Sequence, residues 1–150
     1  MKYLVVFLAF TCVVLMWSYQ KGVLPPDLAL DSNADFIKIS VPPSEVANLL
    51  REQCYNCHSG KATYPRIAHF APFHKKYATP VLEGRKKLNF SNWSAYSPEL
   101  QKVLLLVAVE QMENNAMPIH GVFLKGNDTL AQNEKKLLIQ WLAQEAEAGM

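Results

Sequence analysis

The chain is poor in cysteine and in net charge, and each shortage excludes a class of protein. Only three of its 150 residues are cysteine, and two of these stand in one short motif, so no framework of disulfide bonds is expected. The formal net charge is +2, which is too small to indicate a nucleic-acid-binding protein. Internal repeats and low-complexity segments are also lacking. A chain of this length is expected to form one domain with an appendage.

The short motif that holds two of the cysteines is the most informative feature of the sequence. It reads Cys54-Tyr55-Asn56-Cys57-His58, which is the C-x-x-C-H pattern of c-type haem attachment. Two thiols separated by two residues can each bond one vinyl group of a haem, and the adjacent imidazole then lies under the iron. The motif therefore predicts one covalent haem c, attached to Cys54 and Cys57, with His58 as the proximal ligand.

Two other chemistries also use paired cysteines. A redox-active dithiol needs a thiolate, which is usually stabilised at a helix N-terminus. The spacing of Val46, Leu49 and Leu50 instead predicts a helix that ends at the motif, and the C-terminal end of a helix dipole disfavours an anion. A structural zinc site typically takes four ligands from two separated pairs. The only other cysteine, Cys12, lies in an apolar N-terminal run. Both alternatives therefore fit the sequence less well than covalent haem.

The appendage comprises residues 1–22 and carries one long apolar run. The run from Tyr3 to Tyr19 contains no charged residue, and its length is borderline for a membrane span of about 20 residues. No clear cleavage site follows, so an uncleaved signal-anchor helix in the cytoplasmic membrane is expected, with a cleaved signal peptide as the alternative. Lipid attachment at Cys12 is disfavoured, because the apolar run continues past it. Since c-type haem is attached outside the cytoplasmic membrane, the domain is expected in the periplasm.

The rest of the chain divides into a linker and a domain. Residues 23–42 contain prolines and turn residues that interrupt any long periodicity, which predicts an extended spacer. The domain is expected over residues 43–148, with a first helix from about Pro43 to Cys54. A second helix should begin at Ser97-Pro98, and a third at the capping pattern Thr129-Leu130-Ala131-Gln132.

The stretch between the first and second helices shows little periodicity. Residues 59–97 are rich in Pro, Gly, Asn, Ser and aromatic residues, which predicts a long irregular segment wrapped around the haem. Such a segment is unusual inside a compact domain, but a large apolar cofactor would supply the core on which it packs. The expected fold class is therefore all-α, with about three main helices.

A first helix that ends in C-x-x-C-H and a last helix that carries a tryptophan resemble the small cytochrome c fold. In that fold the first and last helices cross beside the haem. The resemblance implies that residues of the first helix meet residues of the last: Val46, Leu49 and Leu50 on one side, and Leu138, Trp141 and Leu142 on the other. We interpret Trp141 as a core residue.

The distal iron ligand is expected to be Met117. It precedes Pro118 between the second and third helices, the region from which proteins of the small cytochrome c type supply a distal thioether. A thioether is a soft ligand, and Met opposite His raises the reduction potential of the iron. The competing residues are His120, His74, His69 and Met112. A lone His is more often a surface or core residue, and Met112 is expected to pack inside the second helix.

Three stretches of the chain carry a more specific similarity. They read Cys57-His58-Ser59-Gly60-Lys61-Ala62-Thr63-Tyr64-Pro65, then Glu83-Gly84-Arg85-Lys86-Lys87-Leu88-Asn89-Phe90-Ser91-Asn92-Trp93, and finally Met117-Pro118. Over roughly residues 40–145 the chain resembles a family of single-haem domains, named haem-binding domains and known mainly from Bacteroidetes-type bacteria. The resemblance implies c-type haem binding without a defined reaction. The chain departs from the family at Arg66-Ile67, where an aromatic pair is usual.

Further residues are expected to support the haem. His58 should donate its second ring N–H to a carbonyl group, for which Pro65 and Pro72 are candidates. A haem propionate would pair with a basic side chain and with nearby polar groups. The side chains considered for the propionates are Arg85, Lys86, Lys87, Asn89 and Trp93. The simpler interpretation is a turn at Asn89, core packing of Trp93 and solvated basic side chains.

The charge distribution bears on partners. Between residues 61 and 87 the basic residues face a single acid, Glu83; they are Lys61, Arg66, Lys75, Lys76, Arg85, Lys86 and Lys87. If these residues surround the haem edge, they form a docking surface for an acidic redox partner. A merely soluble surface is the equally simple alternative.

The ligand set favours an electron carrier over an enzyme. An iron with two protein ligands offers a substrate no free site, so it can exchange only electrons. A haem enzyme, or a gas or redox sensor, would need a labile distal ligand and polar groups near it, such as His120. An accessory haem subunit of a larger oxidoreductase is a third possibility.

Overall fold

The computed structural model describes residues 2–18, 24–70, 73–119 and 130–148. The seven α-helices within these ranges are α1 (Lys2–Ser18), α2 (Phe36–Ser40), α3 (Ser44–Gln53), α4 (Tyr55–His58), α5 (His74–Lys87), α6 (Pro98–Glu113) and α7 (Gln132–Ala148). Three short 3₁₀ helices cover Ser32–Ala34, Arg66–His69 and Phe90–Ala95. The predicted all-α class is therefore confirmed.

The apolar N-terminal run forms α1, a helix of 17 residues. Within the described ranges, no helix combines the length and the apolar character that crossing a membrane requires. The structure therefore does not support the predicted membrane-spanning helix over residues 1–22.

The second half of the predicted linker belongs to the folded core. The Asp35 carboxylate caps α2 by accepting the Ile37 N–H at 3.0 Å, and it also accepts the Tyr55 hydroxyl at 3.0 Å. Phe36 is fully buried and packs in the main hydrophobic cluster. The expectation of an extended spacer over 23–42 is therefore wrong for this part, because burial of one large aromatic side chain outweighs the turn-rich composition around it.

The three main helices begin and end close to where the sequence places them. The Ser97 hydroxyl accepts the Leu100 N–H at 3.3 Å and Pro98 opens α6, as the capping pattern predicts. α7 begins at Gln132, and a Glu134 carboxylate oxygen accepts the Ala131 N–H at 2.9 Å. The predicted cap residue Thr129 lies outside the described residues.

The core forms where α7 packs on both α6 and α3. The predicted contact between the first and last main helices is thus confirmed. Their buried residues in the main cluster are Val46, Leu49, Leu50, Leu138 and Leu142. Trp141 is partly buried against this cluster and meets the Phe36 ring edge-on, with 5.8 Å between ring centroids.

The middle segment is less irregular than its composition suggests. Residues 59–97 contain the 14-residue helix α5, which buries Tyr77, Ala78, Val81 and Gly84 on one face. Pro80 and Gly84 are poor helix formers, and three basic residues end the helix, so its periodicity is hard to see in the sequence. The prediction of a structureless segment is wrong here, because packing against α4 stabilises a helix of low intrinsic propensity.

Candidate haem site

The C-x-x-C-H motif lies where α3 gives way to α4. α3 ends at Gln53 and α4 begins at Tyr55. The Cys54 carbonyl accepts hydrogen bonds from the backbone N–H of Cys57, at 3.1 Å, and of His58, at 2.9 Å. Since residues three and four positions apart share one face of a helical turn, this turn presents two thiols and one imidazole on the same side.

The hydrogen bonds of His58 identify its tautomer. Its Nδ1 atom lies 3.1 Å from the Gly84 carbonyl oxygen and 3.1 Å from the Leu88 carbonyl oxygen. A carbonyl oxygen only accepts, so Nδ1 carries the proton and shares it between the two oxygens. Nε2 is then left with a free lone pair, which is the form that coordinates a metal.

The imidazole is also neutral. Burial is the largest influence and lowers the pKa of His58 below its ordinary value. The hydrogen bonds to Leu88 and Gly84 act in the opposite direction, and the charge of Lys87 lowers the pKa further. At neutral pH Nε2 therefore carries no proton that a metal ion would have to displace.

The two thiols of the motif are protonated. Burial raises the pKa of Cys54 to about 12, and Cys57 adds to this effect. Burial also raises the pKa of Cys57 to about 11, although the positive charge of Arg85 lowers it in part. A redox dithiol needs the opposite shift, so the structure does not favour that alternative. Nor does the described part of the chain contain a group of three or more His, Cys, Asp or Glu side chains placed to hold a metal ion.

α5 lies so close to the motif that position 84 requires glycine. A Cβ atom on Gly84 would stand 2.6 Å from the Cys57 carbonyl oxygen and 3.1 Å from Cys57 Cβ. Overlap with a backbone oxygen cannot be relieved by rotating a side chain. The glycine therefore allows α5 to pack on α4 and to place its last carbonyl groups on His58.

A cavity of about 270 Å³ opens beside the motif. Cys54 and His58 contribute to its wall, and the rest is mostly apolar. The apolar side chains that the haem would contact include Leu50, Leu88, Phe90, Leu104, Val107 and Leu138. Cofactor sites in proteins are usually apolar hollows of this kind with a few polar groups.

A second cavity of about 120 Å³ adjoins the first, and Cys57 lines it. Five residues line both cavities: Gln53, His58, Lys87, Met117 and Pro118. The two hollows therefore meet where His58 and Met117 lie, with one thiol of the motif on each. Together they reach the usual size of cofactor sites, roughly 300–1,000 Å³.

The turn after α6 brings Met117 to this junction. The Gln111 carbonyl accepts the backbone N–H of Ala116 at 2.9 Å and of Met117 at 3.1 Å. Asn115 takes the left-handed conformation with a φ of 55°, and its side-chain oxygen accepts Lys135 Nζ at 2.7 Å. Met117 is consequently half-buried against the core cluster and lines both cavities with His58.

The competing distal ligands are less well placed. His69 and His74 line neither of the two cavities, and His120 lies outside the described residues. Met112 is buried in the core, as predicted, but it also lines the larger cavity. Met112 is therefore the natural control for any experiment on Met117.

Two predicted supporting roles change. The His58 N–H is accepted by Gly84 and Leu88, so the expectation of a Pro65 carbonyl is wrong; Pro72, the other candidate, lies outside the described residues. Arg85 directs its guanidinium to backbone carbonyl groups and not towards the cavities. Lys87, by contrast, lines both cavities and remains available for a propionate.

The simpler interpretations of Asn89 and Trp93 are correct. The Asn89 side chain accepts the Ser91 N–H at 3.1 Å and caps a 3₁₀ helix. Trp93 is buried in the core, where its ring lies 4.6 Å from that of Phe36. Neither residue lines the two cavities.

Sequence reasoning missed Gln53 as a site residue. Its Oε1 atom is buried without a hydrogen-bond partner among the described residues, and the side chain lines both cavities. A buried polar atom of this kind is costly unless a partner satisfies it. Its position directly before Cys54 was the available signal.

An apolar hollow, two protonated thiols on one helical turn and an imidazole with a free Nε2 define the site of a haem protein, and the residues present fit that group. The model of the family described as haem-binding domain matches residues 12–144, and the chain belongs to this family. The resemblance inferred from the sequence is thereby confirmed, and haem is the cofactor. Neither a curated protein nor a solved structure matches the chain.

Proposed function

We propose that the protein binds one haem c covalently and transfers electrons. Cys54 and Cys57 would form thioether bonds to the two vinyl groups, His58 would bind the iron through Nε2, and Met117 would be the distal ligand. The observation that carries the proposal is the junction of the two cavities, where a neutral His58 with a free Nε2 and Met117 line the same hollow. The fold is then of the small cytochrome c type, with α3 and α7 beside the haem.

The ligand set supports electron transfer over catalysis. The bound haem would supply a one-electron iron couple. Met117 would close the sixth coordination position, and the apolar wall would exclude water from it. Lys87 is the basic side chain best placed to pair with a propionate, because it lines both hollows. A substrate would have no open site on the iron.

We further propose a periplasmic carrier that exchanges electrons with acidic partner proteins. The periplasm follows from the place where c-type haem is attached, and residues 1–22 would serve in export. Lys87 lines the small cavity and is exposed, and four more lysines between residues 61 and 86 are exposed as well: Lys61, Lys75, Lys76 and Lys86. Two acidic residues, Glu52 and Glu83, also line that cavity, so the attraction of an acidic partner would come from the exposed lysines. A fall in electron-transfer rate with rising salt would support this docking, and an unchanged rate would refute it.

Paired variants test the distal ligand. In the full chain matured with c-type haem machinery, Met117→Leu should lose the far-red iron–thioether band and low-spin spectrum. Met112→Leu, a change of similar volume in the larger cavity, should keep both. Loss of the band in Met112→Leu alone would assign the ligand to Met112, and an unchanged spectrum in both variants would refute methionine ligation.

A haem sensor or enzyme is the second candidate, and Gln53 is the observation that favours it. Its Oε1 atom is buried without a hydrogen-bond partner among the described residues, and the side chain lines both cavities beside Met117. This oxygen could accept a hydrogen bond from a protonated ligand on the iron, such as water or peroxide, if Met117 dissociates. Rapid binding of carbon monoxide by the unmutated reduced protein would favour this function. Binding only in Met117→Leu would favour the carrier.

A further inference from the structure

The end of α5 contacts the haem-attachment motif in three independent ways. The Gly84 and Leu88 carbonyl oxygens share the His58 N–H, and the missing side chain at Gly84 allows contact with the Cys57 backbone. Arg85 supplies the third contact. We name Gly84, Arg85 and Leu88 the proximal clamp.

Arg85 binds the loop that follows His58. Its Nε donates to the Ser59 carbonyl at 2.7 Å, Nη2 donates to the Gly60 carbonyl at 3.2 Å, and Nη1 donates to the Pro26 carbonyl at 2.7 Å. Ser59 and Gly60 are both buried. Three charge-assisted hydrogen bonds from one planar group restrict the loop in position and direction. Arg85 therefore prevents the residue next to His58 from moving away from α5.

The acceptors of His58 also lie at the negative end of a helix. α5 ends at Lys87, and the Gly84 carbonyl accepts both the capping Leu88 N–H, at 2.9 Å, and the His58 N–H. The carbonyl groups of a last helical turn carry partial negative charge. Donation of the Nδ1 proton to such groups makes Nε2 a stronger electron donor to a bound metal.

Stronger donation stabilises the ferric state more than the ferrous state, because the ferric ion carries the greater positive charge. We propose that the proximal clamp orients His58 and lowers the reduction potential of the haem, with Arg85 as a positioning residue. This inference rests on the proposed ligation of the haem by His58. The effect of the clamp on the reduction potential is opposite to that of Met117, which would raise the potential.

Replacing Arg85 should raise the reduction potential of the haem, whereas the loss of its positive charge alone would lower it. Removing a positive charge near the haem lowers its potential, because the ferric state is then less destabilised. Loosening the clamp weakens donation by His58 and raises the potential. Arg85→Met removes one positive charge together with the clamp's hold on Ser59, whereas Lys86→Met removes one positive charge from an exposed neighbour on the same turn.

The experiment measures midpoint potentials of the matured full chain, Arg85→Met and Lys86→Met. We expect Arg85→Met to raise the potential by about 59 mV, a tenfold change for a one-electron couple. We expect Lys86→Met to lower it slightly. A potential in Arg85→Met that is unchanged, or lowered as in the control, would overturn the proposal. Absence of covalent haem from the unmutated chain would instead refute the proposed function, so the two failures are distinguishable.

A second measurement covers the case in which Arg85→Met does not accumulate. In reduced Met117→Leu protein the iron–histidine stretching frequency reports how strongly Nδ1 donates its proton. A high frequency, of the kind seen with strong proton donation, supports the clamp. A frequency typical of a histidine without such an acceptor would refute it.

Discussion

The two sides of the haem site are held by different kinds of contact. On the side of His58, the proposed proximal ligand, the ring donates to two backbone carbonyl groups and the motif packs against α5 with no room for a side chain at Gly84. On the side of Met117, the proposed distal ligand, a turn hydrogen-bonded to Gln111 places the backbone and apolar packing places the side chain. The directional hydrogen bonds of the His58 ring specify one geometry for that side chain, whereas the apolar contacts of the Met117 side chain tolerate several. The His58 side should therefore determine attachment and stability and lower the reduction potential, whereas the Met117 side should determine the spin state and raise the reduction potential.

The strongest test of this contrast is the loss of either iron ligand. His58→Ala should sharply reduce the yield of matured protein, because the iron would lose its proposed proximal ligand and α5 would lose its contact with the ring. Met117→Ala should leave the haem attached and change the iron to high spin. The haem content per chain and the visible spectrum of each variant would check this. Equal haem loss in both variants would remove the distinction.

The two sides also differ in their titratable groups, because the His58 side carries the Cys54 and Cys57 thiols and the thioether of Met117 cannot ionise. Burial raises the pKa of the Cys54 thiol from 9.0 to about 12 and that of Cys57 to about 11. The thiols therefore stabilise the haem-free fold below pH 9, and this contribution is lost as the pH rises through 11 and 12. Thioethers cannot ionise, so we expect the haem-free protein to lose stability between pH 9 and 12 more steeply than the matured protein. Parallel unfolding curves over that range would contradict this.

Gly84→Ala should disturb the proximal side alone. The added Cβ would overlap the Cys57 carbonyl oxygen, so we expect a loss of about 1–3 kcal/mol in the free energy of unfolding. Gly60→Ala is the matched control, because its closest contact would be the movable end of the Leu30 side chain at 2.8 Å. Urea unfolding should show a smaller loss for Gly60→Ala, and the reverse order would refute the close approach of α5.

Tyr55→Phe should produce the smallest effect. Tyr55 lies inside the motif, stacks on Phe90 with ring centroids 5.4 Å apart, and donates its hydroxyl to Asp35 at 3.0 Å. Phenylalanine keeps the stacking and loses two hydrogen bonds, the one to Asp35 and the one that the hydroxyl accepts from the Ile37 N–H at 3.3 Å. The Ile37 N–H keeps its Asp35 acceptor, so we expect a loss of about 1 kcal/mol in unfolding free energy. Thermal unfolding of the matured protein would measure it, and no change would show that Asp35 is equally well solvated without Tyr55.

The sequence predicts the main helices well, because their signals are local. Ser97 and Pro98 predict the start of α6, and the spacing of apolar residues predicts α3 and α7. The sequence does not predict α5, because Pro80 and Gly84 interrupt its helical periodicity. Gly84 is needed for the close approach to the Cys57 backbone, which only the folded chain reveals. Phe36 escaped because one buried aromatic in a turn-rich segment has no periodicity.

The contacts of the site divide in the same way, into those that residue types predict and those that only the fold reveals. Covalent chemistry depends on side chains, so the residue types at Cys54, Cys57 and His58 indicate haem attachment directly. The acceptors of His58 are backbone carbonyl groups, and any residue type at position 88 could provide one. Arg85 illustrates the same limit, since its residue type suggested a propionate and its position supplies a loop contact.

Covalent attachment is the central claim, and the mass of the denatured chain tests it most directly. The full chain would be matured with c-type haem machinery beside Cys54→Ser and Cys57→Ser variants, and intact masses measured after unfolding. We expect a mass increase of one haem that survives unfolding in the unmutated chain, and reduced attachment in each variant. A chain that releases all its haem on unfolding would contradict covalent attachment, and the protein would then bind its haem without thioether bonds.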